Sequence, residues 1–581
     1  MNFKNRKEFF NKVGGMALID GVMMKSQFKV ATAIRNQDGE ITVSKKDISS
    51  SNKYYNFFKK IPIVRGILAF IDSMITGLKE LTKSAKELDY EDENGEIDNL
   101  SDKEIIISFI LAMILAVSLF VLIPNIITNF IFPIRIPENK ILYIITEAVL
   151  KLIMFITYIF VVSKLPEIKT LFMYHGAEHK SIACLEKCDE INAKEALKCT
   201  RFHPRCGTSF IVLVLIVSIF VSYFINTNNF FLRIIYKICL LPLIAGISYE
   251  AITFSNKYDN ILTKIIKFPG LMLQKITTAE PDEKQIEVAL CALFESIDQK
   301  EYITIKEAII FFKDTYDIIQ NDTLRIISNY LNEDKNKIYL NMDNMYLDYT
   351  SFINIKNRVE KYKVSNIPLQ YILKNQSFYG MDIYVEEGVL VPREDTEILV
   401  DEAISEIKSN NYKTAIDMCC GSACISLALS KNTNLEKIYS VDISDKAEKV
   451  TKKNIENLNI DNITFIKSDL FTNLQGKKVD IIVSNPPYIE TDVIKTLDKI
   501  VQNEPHLALD GGKNGLEFYE KIAKDARNHL NDNGVLAFEI GYDQGDKVKN
   551  ILKKYNEYSN IKVIKDLAKN ERVVICHFRK I

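Results

Sequence analysis

The sequence has no surplus of charge of either sign: 74 Lys plus Arg stand against 75 Asp plus Glu in 581 residues. That balance excludes an obvious polyanion binder, and a 47% hydrophobic content excludes a wholly disordered chain. Internal repeats are lacking, and so is a low-complexity linker; the acidic stretch Glu87 to Asp102 comes nearest and reads as a solvated connection. The ten cysteines are scattered, three of them crowded as Cys419, Cys420 and Cys424, which is not a disulfide framework and suits a reducing compartment. Residues 1 to 25 lack a continuous apolar core ahead of a small-residue cleavage site, so no cleavable signal peptide is expected.

What is present is length and contrast. At roughly 150 residues per domain the chain is long enough for about four domains. Its bland averages hide two unlike halves: residues 1 to 300 hold 36 basic and 32 acidic side chains, and residues 301 to 581 hold 38 and 43.

Ile105 to Ile134 contains no charge, and 30 residues at 1.5 Å each exceed a hydrocarbon layer of roughly 30 Å. A transmembrane helix is expected over about 105–132. Ile141 to Ser163 is the second candidate, with Glu147 and Lys151 inside it at i, i+4 spacing. Gly207 to Leu232 is again uncharged and Ile234 to Tyr249 is apolar apart from Lys237, which predicts spans at about 207–232 and 234–252 or a re-entrant hairpin. The loop after the second span carries Lys164, Lys169, Lys180, Lys187, Lys194, Lys198, Arg201 and Arg205 and is expected in the cytoplasm. Four spans then place both termini there, giving a multi-pass protein of the cell membrane.

Beyond about residue 285 the pattern changes. Ala289 to Asn332 reads as amphipathic helices, and from Lys413 onward the β-rich runs TAIDMC, KIYSVD, NITFIKSD, DIIVSN, GVLAFEIG and RVVICHFR alternate with helical segments. This is the pattern of a doubly wound, Rossmann-like α/β sheet.

The first of these strands ends in Asp417, Met418, Cys419, Cys420, Gly421, Ser422, Ala423 and Cys424 before a helix. Small residues there let the backbone approach a ligand, and the helix start offers free N–H donors. The second strand ends at Asp442, where a carboxylate can accept both hydroxyls of a ribose or merely cap the next helix. The third ends at Ser468, Asp469, Leu470, where Asp469 can meet an adenine amino group. The fourth runs into Asn485, Pro486, Pro487, Tyr488. Two prolines fix that backbone and remove its N–H donors, so the turn offers the Asn485 side chain and free carbonyls beside an aromatic face, parts that suit a planar NH2 group. An amide or aromatic amine is a poor nucleophile because its lone pair is delocalised; acceptors holding its hydrogens can aim that lone pair at an electrophilic methyl.

With these residues in hand, the second half resembles the HemK/PrmC-type methyltransferases. Also matching are Pro368 to Ile372 with Phe378, Tyr379 and Gly380; Val391, Pro392, Arg393 with Thr396 and Glu397; Leu509 to Gly512 with Gly515 and Leu516; and Phe538 to Gly541. The resemblance implies S-adenosyl-L-methionine as cofactor and, as substrate, the glutamine amide in the Gly-Gly-Gln motif of class 1 peptide chain release factors. It implies that Cys419, Cys420, Gly421, Ser422 and Ala423 hold the methionine part, Asp442 the ribose and Asp469 with Leu470 the adenine. Asn485 and Pro486 would hold the substrate amide, with Pro487 fixing the turn and Tyr488 packing beside it. The family usually has Gly-Thr-Gly-Ser-Gly in the first turn, so two glycines are missing here; a left-handed backbone at either position would cost on the order of 1 kcal/mol or more. Lys374 and Glu394 also depart from the family's glycine and proline. The competing reading is an amino-methyltransferase of adenine in DNA; the acidic balance of this half argues against direct sequence-specific nucleic-acid binding.

The first half carries Tyr174, His175, Gly176, Ala177, Glu178, His179, Lys180 and, further on, His203, Pro204, Arg205, Cys206, Gly207, Thr208. His175 and His179 share a helical face, and His-x-x-Glu-His is the inverted zinc-hydrolase order. Glu178, His203 and Cys206 would complete a zinc shell, with Cys184, Cys188 and Cys199 in reserve. The competing reading is a basic loop at the membrane surface that binds lipid phosphates. These residues, with Gly14 to Ala17, Gly21 to Met24, Arg65, Gly66, Gly246, Ser248 to Glu250, Pro269, Gly270, Thr277, Thr278, Glu280 and Pro281, resemble the YqhQ-like membrane proteins of unknown function. A membrane metallohydrolase and a non-catalytic scaffold are both open. The expected division is a membrane domain over 1–292, a small helical substrate-binding domain over 293–375 and a methyltransferase domain over 376–581.

Overall fold

The computed structural model describes residues 9–10, 12–27, 29–48, 61–87, 102–132, 138–258, 260–300 and 302–581. The acidic stretch between Glu87 and Asp102, the tail of the first apolar run at Pro133 and Ile134, and the first eight residues lie outside them. The chain divides into two compact units, residues 1–308 with 341–357, and residues 309–340 with 358–581. The stretch expected as one helical domain, 293–375, is thus shared between the two.

The first unit opens with an antiparallel meander that the sequence reading did not anticipate: β1 (Gly14–Leu18), β2 (Gly21–Lys25), β3 (Lys29–Arg35) and β4 (Ile41–Asp47). Met24 of β2 and Ala31 and Ala33 of β3 are buried, and the helices Pro166–Lys187 and Glu283–Ser296 pack on this sheet. Two helices, Ile107–Ile131 and Lys140–Val162, are long and apolar enough to cross a membrane. The first contains a π-turn at Ser118–Leu122, just ahead of Pro124, whose missing N–H forces the ladder to shift.

The remaining apolar runs differ from expectation. The third helix spans Gly207–Tyr223 and stops well short of Leu232, because Asn226 to Asn229 favour a turn and the Asn229 side chain caps the next helix by accepting from the Leu232 N–H. The fourth is a pair, Phe230–Cys239 and Leu241–Ser255, bent by 47° where Pro242 opens the second segment. Length and composition therefore give two spanning helices among the described residues, or three if the bent pair is one span.

The second unit is a doubly wound domain. The two-residue strands β5 (Ile303–Thr304) and β6 (Tyr346–Leu347) belong to the first unit, and a short ribbon, β7 (Gln376–Phe378) and β8 (Met381–Ile383), leads into the large sheet of the second. Its sheet is built from β9 (Thr414–Met418), β10 (Lys437–Asp442), β11 (Ile463–Lys467), β12 (Val479–Ser484), β13 (Leu530–Glu539), β14 (Tyr558–Lys565) and β15 (Glu571–Phe578), in the order β11-β10-β9-β12-β13-β15-β14. The first five are parallel; β15 runs antiparallel to β13 and to β14. Runs such as Ile481, Ile482 and Val483 are fully buried because helices cover both faces, with one apolar core on each side. The order turns at β9, and the C-terminal ends of β9 to β12 meet there.

Candidate functional site

A cleft of about 740 Å³ opens at those strand ends. Cys419, Gly421, Asp442, Asp469, Leu470, Asn485 and Pro487 line it, contributed by four successive strands. Met418, Leu390, Pro505, Leu507 and Phe518 supply its apolar wall.

The turn after β9 takes the strained form that its composition foretold. Cys419 (φ +63°), Gly421 (φ +54°) and Ala423 (φ +62°) are all left-handed, and only the middle one is glycine. A Cβ at Gly421 would meet nothing within 4 Å, so the backbone there faces open space. The other members expected to hold cofactor do not reach the cleft. Cys420, Ser422 and Ala423 are buried behind it, because the turn closes on itself and on its neighbours: the Cys420 N–H donates to the Val441 carbonyl, and the Ala423 N–H to that of Cys420. The helix Asp445–Asn457 secures the turn from outside, Thr451 donating to the Gly421 carbonyl (3.1 Å) and Asn454 to that of Ser422 (3.1 Å).

Asp442 accepts from the Gly421 N–H (2.9 Å) and the Ser444 N–H (3.0 Å), while Ser444 is the helix cap. Its carboxyl is thereby fixed at the strand end, and burial raises its pKa against those two hydrogen bonds. Asp417, on β9 opposite Ser440, is fully buried. It accepts from the Ser426 N–H and hydroxyl, its Oδ1 has no partner, and burial pushes it up to about 7.

The Asn485 amide is oriented from below, its Nδ2 donating to the Thr396 hydroxyl (3.3 Å), which turns Oδ1 away as an acceptor. Pro486 and Tyr488 do not line the cleft. Tyr488 turns inward, its hydroxyl 3.5 Å from Glu539, whose carboxyl is 2% exposed, has an unpartnered Oε2 and is pushed by burial up to about 7. Gln544 donates to the Tyr488 carbonyl (2.9 Å). Gly511 lies against the same turn: a Cβ there would come 2.7 Å from the Tyr488 Cα and 2.8 Å from the Pro487 carbonyl oxygen. Glu504, nearly fully buried, ties the other wall by accepting from the Val391 N–H and pairing with Arg393. Of these supports, Asn454, Glu504 and Gln544 went unrecognised in the sequence, because each is a polar residue whose partner here lies tens of residues away.

In the first unit His175, His179 and Cys206 converge, one ligand atom of each lying within 4.8 Å of the others. His175 Nδ1 sits 2.8 Å from the Thr277 carbonyl oxygen and His179 Nδ1 2.5 Å from that of Arg201. Both rings therefore present Nε2 inward: that of His175 is 3.0 Å from Cys206 Sγ, and that of His179 is buried without a hydrogen-bond partner. Backbone carbonyls on Nδ1 fix tautomer and aim, as around a bound metal. Cys206 opens the helix Gly207–Tyr223, its Sγ accepting from the Thr208 N–H (3.4 Å).

Two expected ligands stand elsewhere. Glu178, next to His179 and so about 100° around the helix, is directed at β1, where a Cβ on Gly15 would meet its Cγ at 2.9 Å; burial pushes it up to about 7. His203 faces Glu186 (3.8 Å) and Arg205 (3.4 Å). Cys184, Cys188 and Cys199 form a group of their own rather than a reserve for the first. Gly176 leaves room for the strap that supplies Thr277, a Cβ there falling 2.2 Å from the Ala279 carbonyl oxygen.

Comparison with known proteins separates the halves in the same way. The family described as "Protein of unknown function (DUF1385)" matches residues 61–299, and "Methyltransferase small domain" matches residues 395–513. The release factor glutamine methyltransferase of Clostridium acetobutylicum is 37% identical over 286 residues, 47% of this chain and 97% of its own. That of Clostridium botulinum is 45% identical over 214 residues, 36% of this chain and 75% of its own. The uncharacterized protein YqhQ of Bacillus subtilis is 36% identical over 287 residues, 48% of this chain and 89% of its own.

Proposed function

Because the chain belongs over its second half to the release factor glutamine methyltransferases, S-adenosylmethionine-dependent enzymes, and over its first half to the YqhQ family, we propose that it methylates the glutamine amide of a class 1 release factor from a membrane-anchored position. The observation that carries this is the Asn485 amide, held by Thr396 at the end of β12 and lining the same cleft as Asp442, Asp469 and the turn after β9.

The lining fits the cofactor: Gly421 leaves open space, Asp442 offers a fixed carboxylate for a ribose, and Asp469 with Leu470 stands where an adenine would lie. S-adenosylmethionine supplies an electrophilic sulfonium methyl when bound. Asn485 Oδ1 takes an amide hydrogen and so directs the nitrogen's lone pair. Pro487 keeps the turn rigid, and Tyr488 and Gln544 brace it from behind. The amide proton departs to solvent after transfer, so positioning does the work and no strong base is needed; well-aligned reactants gain roughly 7 to 11 kcal/mol this way. The helices between 293 and 375 grip the release factor and residues 376–581 carry the chemistry.

The first half is a multi-pass anchor with up to four membrane passes, the bent pair and Gly207–Tyr223 completing what the two long helices begin. The basic stretch 164–205 keeps the His/Cys cluster and the catalytic half in the cytoplasm. His175, His179 and Cys206 bind zinc with a fourth position open, three protein ligands being the number found in catalytic zinc sites.

Asn485→Ala tests the central assignment. Methyl transfer to a release factor should fall by about 10²-fold or more while cofactor affinity, read by calorimetry, stays within a few-fold. Full activity of that variant overturns it, as does wild-type transfer to adenine in DNA rather than to protein.

A further inference from the structure

Among the apolar helices lies a group of charges that neither half's reading uses. Glu147 and Lys151 of the helix Lys140–Val162 pair with each other (2.6 Å), and Lys237 of the bent pair joins them, 2.5 Å from Glu147 and 2.7 Å from the Asn125 side chain. Arg233, one turn before Lys237, is fully buried with its guanidinium 4.9 Å from the centre of the Tyr143 ring. Its Nη1 reaches the Ile225 carbonyl oxygen at 3.5 Å, while Nε and Nη2 have no partner. Two cationic side chains thus flank one carboxylate, and a third, Arg233, lies one turn from Lys237, all four at most 9% exposed. Ionised groups removed from water need opposite charge or hydrogen-bond partners, and here the positive side is in excess.

Beside them is a partly open cavity. Lys151, Lys237, Ser218 and Ser222 give it a polar end, next to Ile225, and Phe120 and Leu215 belong to its apolar wall. Lys151 sits about 16 Å along its helix from Lys140, given 1.5 Å per residue, inside the layer that a membrane would occupy.

We propose that this cavity binds the phosphoryl headgroup of an anionic lipid, with Lys151 and Lys237 as direct contacts, Arg233 supplying the remaining charge, and the acyl chain against the apolar wall. The inference rests on the membrane reading of the first half. A phosphate anion supplies both the missing charge and the acceptors for the cationic donors, and cations are kept within a membrane where they serve such a site. A free phosphate offers the same headgroup chemistry but leaves the apolar wall unfilled.

The test uses the full chain in phosphatidylcholine nanodiscs containing a minority of phosphatidylglycerol, with retained lipid counted by native mass spectrometry. Phosphatidylglycerol should be retained in preference to phosphatidylcholine. Arg233→Met, which removes the unpartnered donors, and Ser218→Phe, which fills the cavity without touching a charge, should each weaken that retention by roughly tenfold or more. Release-factor methylation by both variants should equal wild type, showing that the second half is folded, and an unchanged helical circular dichroism signal and elution profile should show the same of the first. Equal retention of the two lipids, indifference to both variants, or displacement by millimolar inorganic phosphate would overturn the proposal. A chain that remains soluble without detergent would instead overturn the membrane reading beneath it.

Discussion

The cleft of the second half and the histidine cluster of the first are built by opposite means. In the cleft, each functional side chain comes from the end of a different strand, so residues 419, 442, 469 and 485 meet only because parallel pairing brings four strand ends to one edge. In the cluster, two of three groups come from a single helix at i, i+4, and the third opens another helix. A sheet edge gathers distant residues and relies on turns to aim them. A helix aims its own residues and needs few partners. The cleft should therefore be sensitive to the backbone of its turns, and the cluster to side-chain identity.

The largest effect expected from that contrast is at Gly511, which touches no substrate. Gly511→Ala drives a Cβ into the Tyr488 and Pro487 backbone and shifts the Asn485 turn. Methyl-transfer kcat should drop by about 10²-fold, the cost of a displacement near 1 Å, with cofactor affinity little changed; an unaffected rate would break the claim that this glycine sets the turn. The cluster should respond differently. His175→Ala combined with His179→Ala should abolish stoichiometric zinc in the purified full chain, by elemental mass spectrometry, and leave release-factor methylation within about twofold, because removing two of three ligands dismantles the site. Parallel loss of methylation would make the two regions one machine.

A smaller effect follows from Glu539. Its carboxyl is raised by burial from an ordinary 4.5 to about 7, so between those values the folded chain holds a proton that the unfolded chain has lost. This contribution to stability is complete below about pH 4.5 and is lost as pH rises through 7. Glu539→Gln should remove that slope and raise stability at pH 8 by on the order of 1 to 3 kcal/mol, measured by unfolding against pH. The smallest effect is at Cys419, where relieving φ +63° through Cys419→Gly should add about 1 kcal/mol to stability. A lower melting temperature would mean that the Cys419 side chain outweighs its strain.

The same contrast explains what could be read in advance. Six of the seven strands of the large sheet stood out as short β-rich runs, and the missing glycines foretold strained positions at Cys419 and Ala423. The N-terminal meander escaped notice because β4 mixes Ile41 and Val43 with Lys45, Lys46 and Asp47, and its neighbours read as a motif rather than as strands. Helical spacing paired His175 with His179 correctly, but the proximity of Glu178 in sequence is misleading, because one residue's step on a helix turns it to another face. Residues whose partners lie far along the chain, such as Asn454 against Ser422 or Gln544 against Tyr488, carry no local signal at all.

The central claim, that the cleft moves a methyl group to an amide nitrogen, is tested most directly by locating the methyl. The full chain is incubated with labelled S-adenosylmethionine and a class 1 release factor, DNA being offered in a parallel tube, and the products are mapped by tandem mass spectrometry. The prediction is one methyl group on the side-chain nitrogen of the glutamine in Gly-Gly-Gln and none on DNA. Label on adenine, or on any other residue of the release factor, would contradict it.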